Sequence, residues 1–269
     1  MNRWFFLFSQ WFKRDLAGRY RGSWLGLGWP IIQPLAQISV FTLVFHFFMD
    51  MRWPLAEAGF AEQSGSPNLI SAAEYGVNVL AGLAVFNFFA DILSRSPSAI
   101  FSQPSLVTKV RFPLALLPMV TTAVAMIHIA SAFAIAGTAL AIMGRFSWEM
   151  LWIAVWTLPV ALYGFGLSLL FASLGVYVRD IGQAMPAVIS LLMFLTPIFY
   201  PLNAIPVRLR SLFEANPIAW AAESLRDILL RNQSLVMSDW LAHLFASLVI
   251  CLVASLLFKT LQRGFADVL

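Results

Sequence analysis

Residues 14–34 read RDLAGRYRGSWLGLGWPIIQP, and the chemical character of the chain changes in the middle of this stretch. Four arginines and one lysine lie within the first 21 residues, whereas no charged residue follows Arg21 until Asp50. An apolar α-helix needs about 20 residues to cross a bilayer, and the charge-free stretch after Arg21 exceeds that length. The junction therefore predicts a basic segment at a membrane surface that leads directly into a first membrane span.

The composition of the chain excludes an ordinary soluble domain. Of its 269 residues, 60% are hydrophobic and 11% are charged, against about 45–50% and about 25% in soluble domains. The 17 lysines and arginines contribute to a net charge of +4, but they are spread between apolar segments and form no basic face, so we expect no nucleic-acid partner. The single cysteine, Cys251, leaves no possible intrachain disulfide.

Six stretches have the length of a membrane span. Five of them contain a long charge-free interval, and the remaining one is interrupted only by Asp91 and Arg95, which are four positions apart and can pair on one helix face. Backbone groups in lipid must be hydrogen-bonded within the chain, and no series of alternating segments indicates a barrel, so we predict a single all-α integral membrane domain, 1–269. The predicted spans are residues 22–49, 75–101, 112–144, 150–178, 181–200 and 240–260.

Lysines and arginines near the ends of the spans indicate the orientation, because cytoplasmic loops carry an excess of them. With the N-terminus in the cytoplasm, eleven of the 17 positive residues fall on the inner side. We therefore expect both termini to be cytoplasmic. No cleaved signal peptide is expected, because the opening sequence MNRWFFLFSQWFKRD has only a short apolar region and is followed by more positive charge.

Residues 1–21 have the pattern of an amphipathic helix that lies on the membrane. Their large apolar residues recur at helical spacing, and their basic residues can reach lipid phosphates. A disordered basic tail that only fixes the topology is the alternative. Gly18, Gly22 and Gly26 are predicted to let the chain bend and pack closely where it enters the first span. The apolar residues are Trp4, Phe5, Phe8, Trp11, Phe12 and Leu16.

Two connections have an unusual composition. The inner loop 94–113, SRSPSAIFSQPSLVTKVRFP, is rich in serine and proline but retains apolar residues. It forms either a short helix that presents an apolar and basic surface to a cytosolic partner or a plain connector. The stretch 194–235 is partly apolar but contains four prolines, which excludes two further spans and suits short re-entrant or interfacial helices on the outer side.

The sequence contains none of the short motifs that indicate an enzyme. It has no G-x-x-x-x-G-K-[ST] phosphate-binding loop, no G-x-S-x-G and no H-E-x-x-H. His46, His128 and His243 lie on different predicted helices without clustered carboxylates. We therefore predict no catalytic residue, no metal site and no cofactor bound by this chain. Together with Asp91, the histidines are the candidate ionisable groups of a proton-coupled carrier.

Five segments carry a family resemblance: RDLAGRYRGSWLGLGWPIIQPL, PSLVTKVRFPLALLP, YVRDIGQAMPAVISLLMFLTPIFYP, ANPIAWAAESLRDILL and FKTLQRGFADVL. In this order they resemble the membrane (permease) subunit of the ABC-2 type transporters that export O-antigen, capsular polysaccharide or teichoic acid. The resemblance implies a homodimer of six-helix subunits joined to two copies of a nucleotide-binding ABC ATPase, which binds ATP and magnesium. It also implies a lipid-linked polysaccharide as substrate and the bacterial inner membrane as the location.

The resemblance also implies roles for individual residues. The N-terminal helix and the inner loop are expected to contact the ATPase, the latter as a coupling helix. Arg179 and Asp180 match the family's RD at the inner end of the fourth span and are expected to form part of a cytoplasmic gate or a second ATPase contact. Residues 197–230 are expected to shape the channel exit. The expected coupling residues are Gln103, Pro104, Ser105, Leu106, Lys109, Arg111 and Phe112.

A channel for a long glycan needs surfaces that bind each sugar weakly and release it. Aromatic faces do this by stacking against sugar C–H groups. Two other functions stay open: a drug- or lipid-exporting ABC-2 permease of the same architecture, and a secondary carrier that needs no ATPase. Membrane lipids are expected partners of all three. The predicted channel-lining aromatics are Phe41, Phe45, Phe86, Phe89, Phe194, Phe199 and Tyr200.

Overall fold

The computed structural model describes residues 3–49, 69–109, 112–200 and 205–269. Within these ranges the regular structure is helical and contains no strand, in agreement with the predicted all-α class. The α-helices are α1 (Arg3–Tyr20), α2 (Trp29–Phe41), α3 (Leu69–Arg95), α4 (Pro104–Thr108), α5 (Leu116–Ile142), α6 (Trp152–Tyr177), α7 (Asp180–Phe194), α8 (Val207–Glu214), α9 (Pro217–Leu230), α10 (Met237–Leu261) and α11 (Phe265–Val268).

Within the described residues, five helical stretches are long and apolar enough to cross a membrane. They overlap the first four and the last of the six predicted spans, although the first begins at Trp29 rather than at residue 22 and the last continues to Val268. The fifth predicted span corresponds to α7, whose 15 residues rise about 22 Å, less than the ~30 Å of a bilayer's hydrocarbon core. The count of six spans therefore stays a prediction. The five stretches are Trp29–Phe48, Ala72–Ser98, Leu116–Ile142, Trp148–Tyr177 and Met237–Val268.

Helix α3 lies at the centre of the molecule. In the most apolar part of the span Ala72–Ser98, 83% of the residues are buried, because α3 packs against α2, α5, α6, α7 and α9. Only 17% are buried in the corresponding parts of Trp29–Phe48 and Met237–Val268. These two stretches lie at the periphery of the described residues, and most of their apolar side chains are not buried by the rest of the chain.

A second apolar cluster closes one end of the bundle. It joins Ile100, which follows α3, to Leu169 of α6, Phe258 of α10 and Phe265 of α11. Helix α4 packs on the same cluster. We call this the inner end, following the predicted orientation, and the opposite end the outer end.

Helix α2 continues into an irregular turn. Pro34 lies inside the helix, and the chain then forms a π-helix over Thr42–Phe48. In a π-helix the hydrogen bonds run from residue i to i+5, and such turns are rare and occur frequently at functional sites. The His46 ring in this turn is buried and stacks on Tyr75 of α3, with ring centroids 5.5 Å apart. The contact fixes the outer part of this span against α3.

Candidate functional site

Helix α1 lies along the inner part of α5. Its Phe8 and Trp11 side chains pack against an apolar surface of α5 that contains Leu116, whereas Trp4 and Phe5 are each 63% exposed. The helix predicted for the N-terminal segment is therefore present, and its apolar residues face two ways. One set joins α1 to the bundle, and the other is free to enter a membrane surface.

The chain bends between α1 and α2. Gly22 and Gly26 have φ angles of +82° and +49°, which residues with a side chain rarely adopt. The Trp29 indole donates a hydrogen bond to the Ser23 hydroxyl at 2.6 Å and so ties the start of α2 to the bend. The predicted bend is present at these two glycines, whereas Gly18 lies inside α1.

A partly buried ion-pair network joins α1 to α3. Asp91 accepts a hydrogen bond from Arg95 at 2.7 Å, the pair that the sequence spacing indicates, and another from Arg19 at 2.5 Å. Arg19 is only 6% exposed and also donates to Asp15. Burial raises the pKa of the neighbouring Tyr20 phenol, which therefore stays neutral at physiological pH. No local pattern signals the Arg19 contact, because its partner lies 72 positions away.

The inner loop contains a short helix, α4, which is one of the two structures that its sequence suggests. Leu106 and Val107 pack on the apolar cluster of the inner end, and Lys109, just after the helix, is exposed. Contact with an ATPase stays a prediction. Among the other coupling residues, Gln103 and Phe112 are half-buried, Pro104 and Ser105 are exposed, and Arg111 lies outside the described residues.

Three elements that are distant in the sequence form one concave surface at the inner end. A cavity of about 480 Å³ has walls from Trp4 of α1, Leu106 of α4, Phe112 before α5, and Gln262 in the C-terminal segment. We call the surface formed by α1, α4 and residues 262–269 the inner platform. The cavity walls combine apolar side chains with polar surface, and together with the nearby exposed Lys109 they suit contact with a protein partner.

A larger cavity of about 580 Å³ lies between α1, α5 and α6. Its walls are apolar and include Phe5, Phe8, Met119 and Phe165. Hydrocarbon is the chemistry that matches such a lining, because the Trp4 indole is the one side chain in it with an N–H or O–H group.

Of the predicted gate residues, Arg179 lies in the tight turn between α6 and α7, and Asp180 is the first residue of α7. Arg179 and Asp180 are both exposed there. The start of α7 lies beside Ser96–Ser98, the 3₁₀ turn between α3 and α4. The predicted gate and the predicted coupling helix therefore share the inner end, while their roles stay predictions.

The outer end contains a buried arginine that is not among the residues predicted for the site. Arg226 of α9 is 1% exposed and donates to the carbonyl oxygens of Pro197 and Ile198 at 2.7 Å each, and of Asn78 on α3 at 3.3 Å. It also pairs with Glu223 at 2.5 Å. The glutamate three positions earlier is the one local signal for such a pair. Arg226 fastens the proline-rich segment after α7 to α3 and α9.

The stretch with the prolines contains the short helices that its composition predicts. Helix α8 has 8 residues and α9 has 14. The Asn216 side chain caps α9 by accepting a hydrogen bond from the backbone N–H of Ile218 at 3.0 Å, which is the usual role of asparagine at a helix start. A re-entrant position of these helices in the membrane stays a prediction.

Three of the predicted channel aromatics form one group. The Phe199 ring centroid lies 4.6 Å from that of Phe41 and 5.3 Å from that of Phe45. Phe41 and Phe45 also stack on each other. We call these three rings the aromatic cluster. It joins the span Trp29–Phe48 to the segment after α7.

The other four predicted aromatics lie in different surroundings. Phe86 and Phe89 of α3 are buried among the other helices of this chain. Phe194, at the end of α7, is 74% exposed, and its carbonyl accepts a hydrogen bond from the Tyr200 hydroxyl at 2.6 Å. Of these four side chains, Phe194 offers the largest free aromatic surface.

Two of the candidate ionisable histidines are held in ring contacts. His46 stacks on Tyr75, and His243 stacks on Trp220 with centroids 4.1 Å apart. The Nδ1 atom of His243 also lies 3.2 Å from the Tyr163 hydroxyl. Within the described ranges, no group of three or more His, Cys, Asp or Glu side chains is placed to hold a metal ion.

Comparisons with known proteins agree on one family. The family profile described as ABC-2 type transporter matches residues 7–230. A relative named O-antigen export system permease protein RfbA from Klebsiella pneumoniae is 24% identical over 96% of this chain and 92% of its own. A second of that name, from Myxococcus xanthus, is 26% identical over 95% of this chain and 92% of its own. Because the profile covers most of this chain of apolar membrane helices, the chain is a multi-pass membrane protein that belongs to the ABC-2 type transporter family.

Proposed function

We propose that this chain is the channel-forming membrane subunit of an ATP-driven exporter, which moves a lipid-linked polysaccharide from the cytoplasm across the bacterial inner membrane. The observation that carries the proposal is the similarity, over more than nine-tenths of both chains, to permeases named for O-antigen export. Both termini lie in the cytoplasm in this arrangement, so the inner platform faces the ATPase.

The energy comes from a separate ABC ATPase subunit, present in two copies, which binds ATP and magnesium. This chain has no phosphate-binding loop of the G-x-x-x-x-G-K-[ST] type. The concave inner platform supports such a partner, with exposed Lys109 beside it. Helix α4 is the coupling helix, and α1 transmits movement to α3 through the Arg19–Asp91 ion pair. Arg179 and Asp180 form part of a gate that changes the width of the channel at the inner end.

The transport path forms between two copies of the chain. The sparsely buried span Trp29–Phe48 offers an apolar face to a second copy, and closed pairs are the commonest symmetric assembly. The aromatic cluster on this span binds successive sugars weakly by stacking, and the exposed Phe194 adds a further ring. Helices α8 and α9 shape the exit. A hydrocarbon chain, from the lipid-linked substrate or a membrane lipid, occupies the apolar cavity beside α1.

Co-purification with a co-expressed nucleotide-binding ABC ATPase subunit from the native host tests the proposal. We expect a complex whose ATP hydrolysis rises when lipid-linked glycan from the native host is added, and cells that lose surface glycan without this chain. Lys109→Glu is expected to weaken the complex, because it reverses an exposed charge beside the inner platform. Arg208→Glu is the matched control, since it reverses an exposed charge on α8 at the outer end.

The same experiment separates the competing functions. Stimulation by a lipid or a hydrophobic dye, but not by glycan, indicates a drug or lipid permease. Transport that continues with a hydrolysis-deficient ATPase indicates a secondary carrier. Absence of any complex, together with ATP hydrolysis that glycan does not change, contradicts the proposed function.

A further inference from the structure

Two amide side chains meet in the middle of two spans. Asn87 of α3 donates a hydrogen bond from Nδ2 to Oε1 of Gln37 on α2 at 3.2 Å. Asn87 lies about 16 Å along the helix from Ser98 and about 22 Å from Ala72, the ends of its span. Gln37 has a similar depth, about 12 Å from Trp29. We call these two side chains the amide pair.

The amide pair has hydrogen-bonding capacity that its mutual contact does not use. A glutamine and an asparagine together carry four N–H donors and two carbonyl oxygens. The Asn87–Gln37 bond uses one donor, and no further hydrogen bond to either side-chain amide is present among the described residues. Both residues are only half-buried. Unpaired amides are costly in hydrocarbon, so this position must face water or a polar ligand rather than lipid.

The amide pair is continuous with the aromatic cluster. Gln37, Phe41 and Phe45 follow one another at intervals of four on one helix face. One helical turn of about 5.4 Å therefore separates the amide from the first ring of the cluster. The surface along this span thus changes from amide to aromatic towards the outer end.

On α3, the amide pair continues towards the inner end as a polar stripe. Asn87, Asp91 and Arg95 recur at intervals of four, and these positions are less buried than most of α3. Asp91 and Arg95 already pair with each other, so their charges are largely satisfied. Arg95 keeps further N–H groups, but these are charged, so Asn87 is the uncharged member of the stripe that keeps a free donor.

We propose that the amide pair is a binding station for sugar hydroxyl groups, one turn below the aromatic cluster, in the path of the translocated glycan. This inference rests on the proposed function and deepens it. An amide both donates and accepts, which matches a hydroxyl group. Because the amides carry no charge, their bonds to a hydroxyl are weaker than charge-assisted ones. Weak binding suits a moving polymer, because each sugar must leave as readily as it binds.

Cysteine labelling tests whether the station is hydrated, independently of any glycan. In a Cys251→Ala background, Gln37→Cys and Asn87→Cys are treated with a charged, membrane-impermeant methanethiosulfonate reagent in the complex with the ATPase. We expect both cysteines to react. Leu252→Cys, at similar depth on the exposed apolar side of α10, and Phe88→Cys, fully buried beside Asn87, are the controls and are expected to stay unlabelled. Failure of both test positions to react overturns the proposal.

Glycan binding is tested on the same complex with lipid-linked glycan from the native host as the probe. We expect the glycan to slow labelling of Asn87→Cys at least several-fold during ATP hydrolysis. Gln37→Leu and Asn87→Leu are expected to lower the export rate about five-fold for each lost hydrogen bond. The exchanged pair, Gln37→Asn with Asn87→Gln, keeps the same chemistry and is expected to restore most export.

The outcomes distinguish this proposal from the proposed function. If the unsubstituted complex exports glycan and both leucine variants export it at the same rate, the proposed binding station is wrong, whereas the proposed export function is retained. If glycan does not slow the labelling of Asn87→Cys, the proposed binding station is likewise wrong and the proposed export function is retained. If the unsubstituted complex exports no glycan, the proposed function fails and the station fails with it.

Discussion

The substitution Arg226→Met is expected to destabilise the protein strongly. Methionine keeps an unbranched apolar stem but removes the guanidinium that donates to the carbonyl oxygens of Pro197, Ile198 and Asn78. Each buried acceptor that loses its donor costs about 1–3 kcal/mol, and Glu223 loses its nearest positive partner. Breaking a buried charged network of this kind lowers the free energy of unfolding by about 3–5 kcal/mol.

Unfolding in mixed micelles, followed by tryptophan fluorescence as sodium dodecyl sulfate is added, measures this change. Arg231→Met on the same helix is the matched control. Its side chain is 27% exposed and pairs mainly with Asp227, so we expect a loss of about 1 kcal/mol or less. Arg226→Lys is expected to recover only part of the stability, because an ammonium group lacks the planar fork that reaches two carbonyls at once. A loss for Arg226→Met no larger than that for Arg231→Met refutes the reasoning.

Two further substitutions test packing at the inner end. A Cβ atom at Gly175 of α6 would overlap with the Pro97 carbonyl, so Gly175→Ala is expected to lower the free energy of unfolding by about 1–3 kcal/mol. After heating, its monodisperse peak in size-exclusion chromatography should be lost at a lower temperature than that of the unsubstituted protein. Gly182→Ala, whose nearest atom is 3.9 Å away, is the control and should leave that peak unchanged. Asp91→Asn removes the carboxylate that pairs with buried Arg19, so hydrogen–deuterium exchange in α1 should rise; equal exchange in both proteins contradicts the network.

The membrane character and most of the helices follow from the sequence because apolar length and charge are local properties. The end of helix α7 is a feature that these local properties do not predict. The charge-free interval continues well past Phe194, so hydropathy gives no end for the helix. The helix ends at Phe194, shortly before Pro197, but Pro186 lies inside the same helix, so the position of a proline does not by itself predict the end.

Some contacts of the candidate site also follow from local sequence patterns, and others do not. The Asp91–Arg95 pair is readable from a spacing of four, and α4 from the apolar residues in its loop. The Arg19 and Arg226 contacts join residues far apart in the chain, for which one sequence offers no pattern. The sequence also does not indicate which aromatic side chains of α3 face open space, because the pattern of a helix that is apolar on all sides gives no direction for its side chains.

The π-helix at Thr42–Phe48 makes the length of this span as important as its composition. An α-helix turns by about 100° per residue, so a one-residue deletion between Gln37 and Phe41, where the span is α-helical, re-aims every later side chain relative to Gln37 while the π-helical turn is kept. Phe45 would leave the aromatic cluster, and His46 would leave Tyr75, although no residue identity had changed. Homologous chains that use the same surface should therefore accept substitutions here more readily than insertions or deletions.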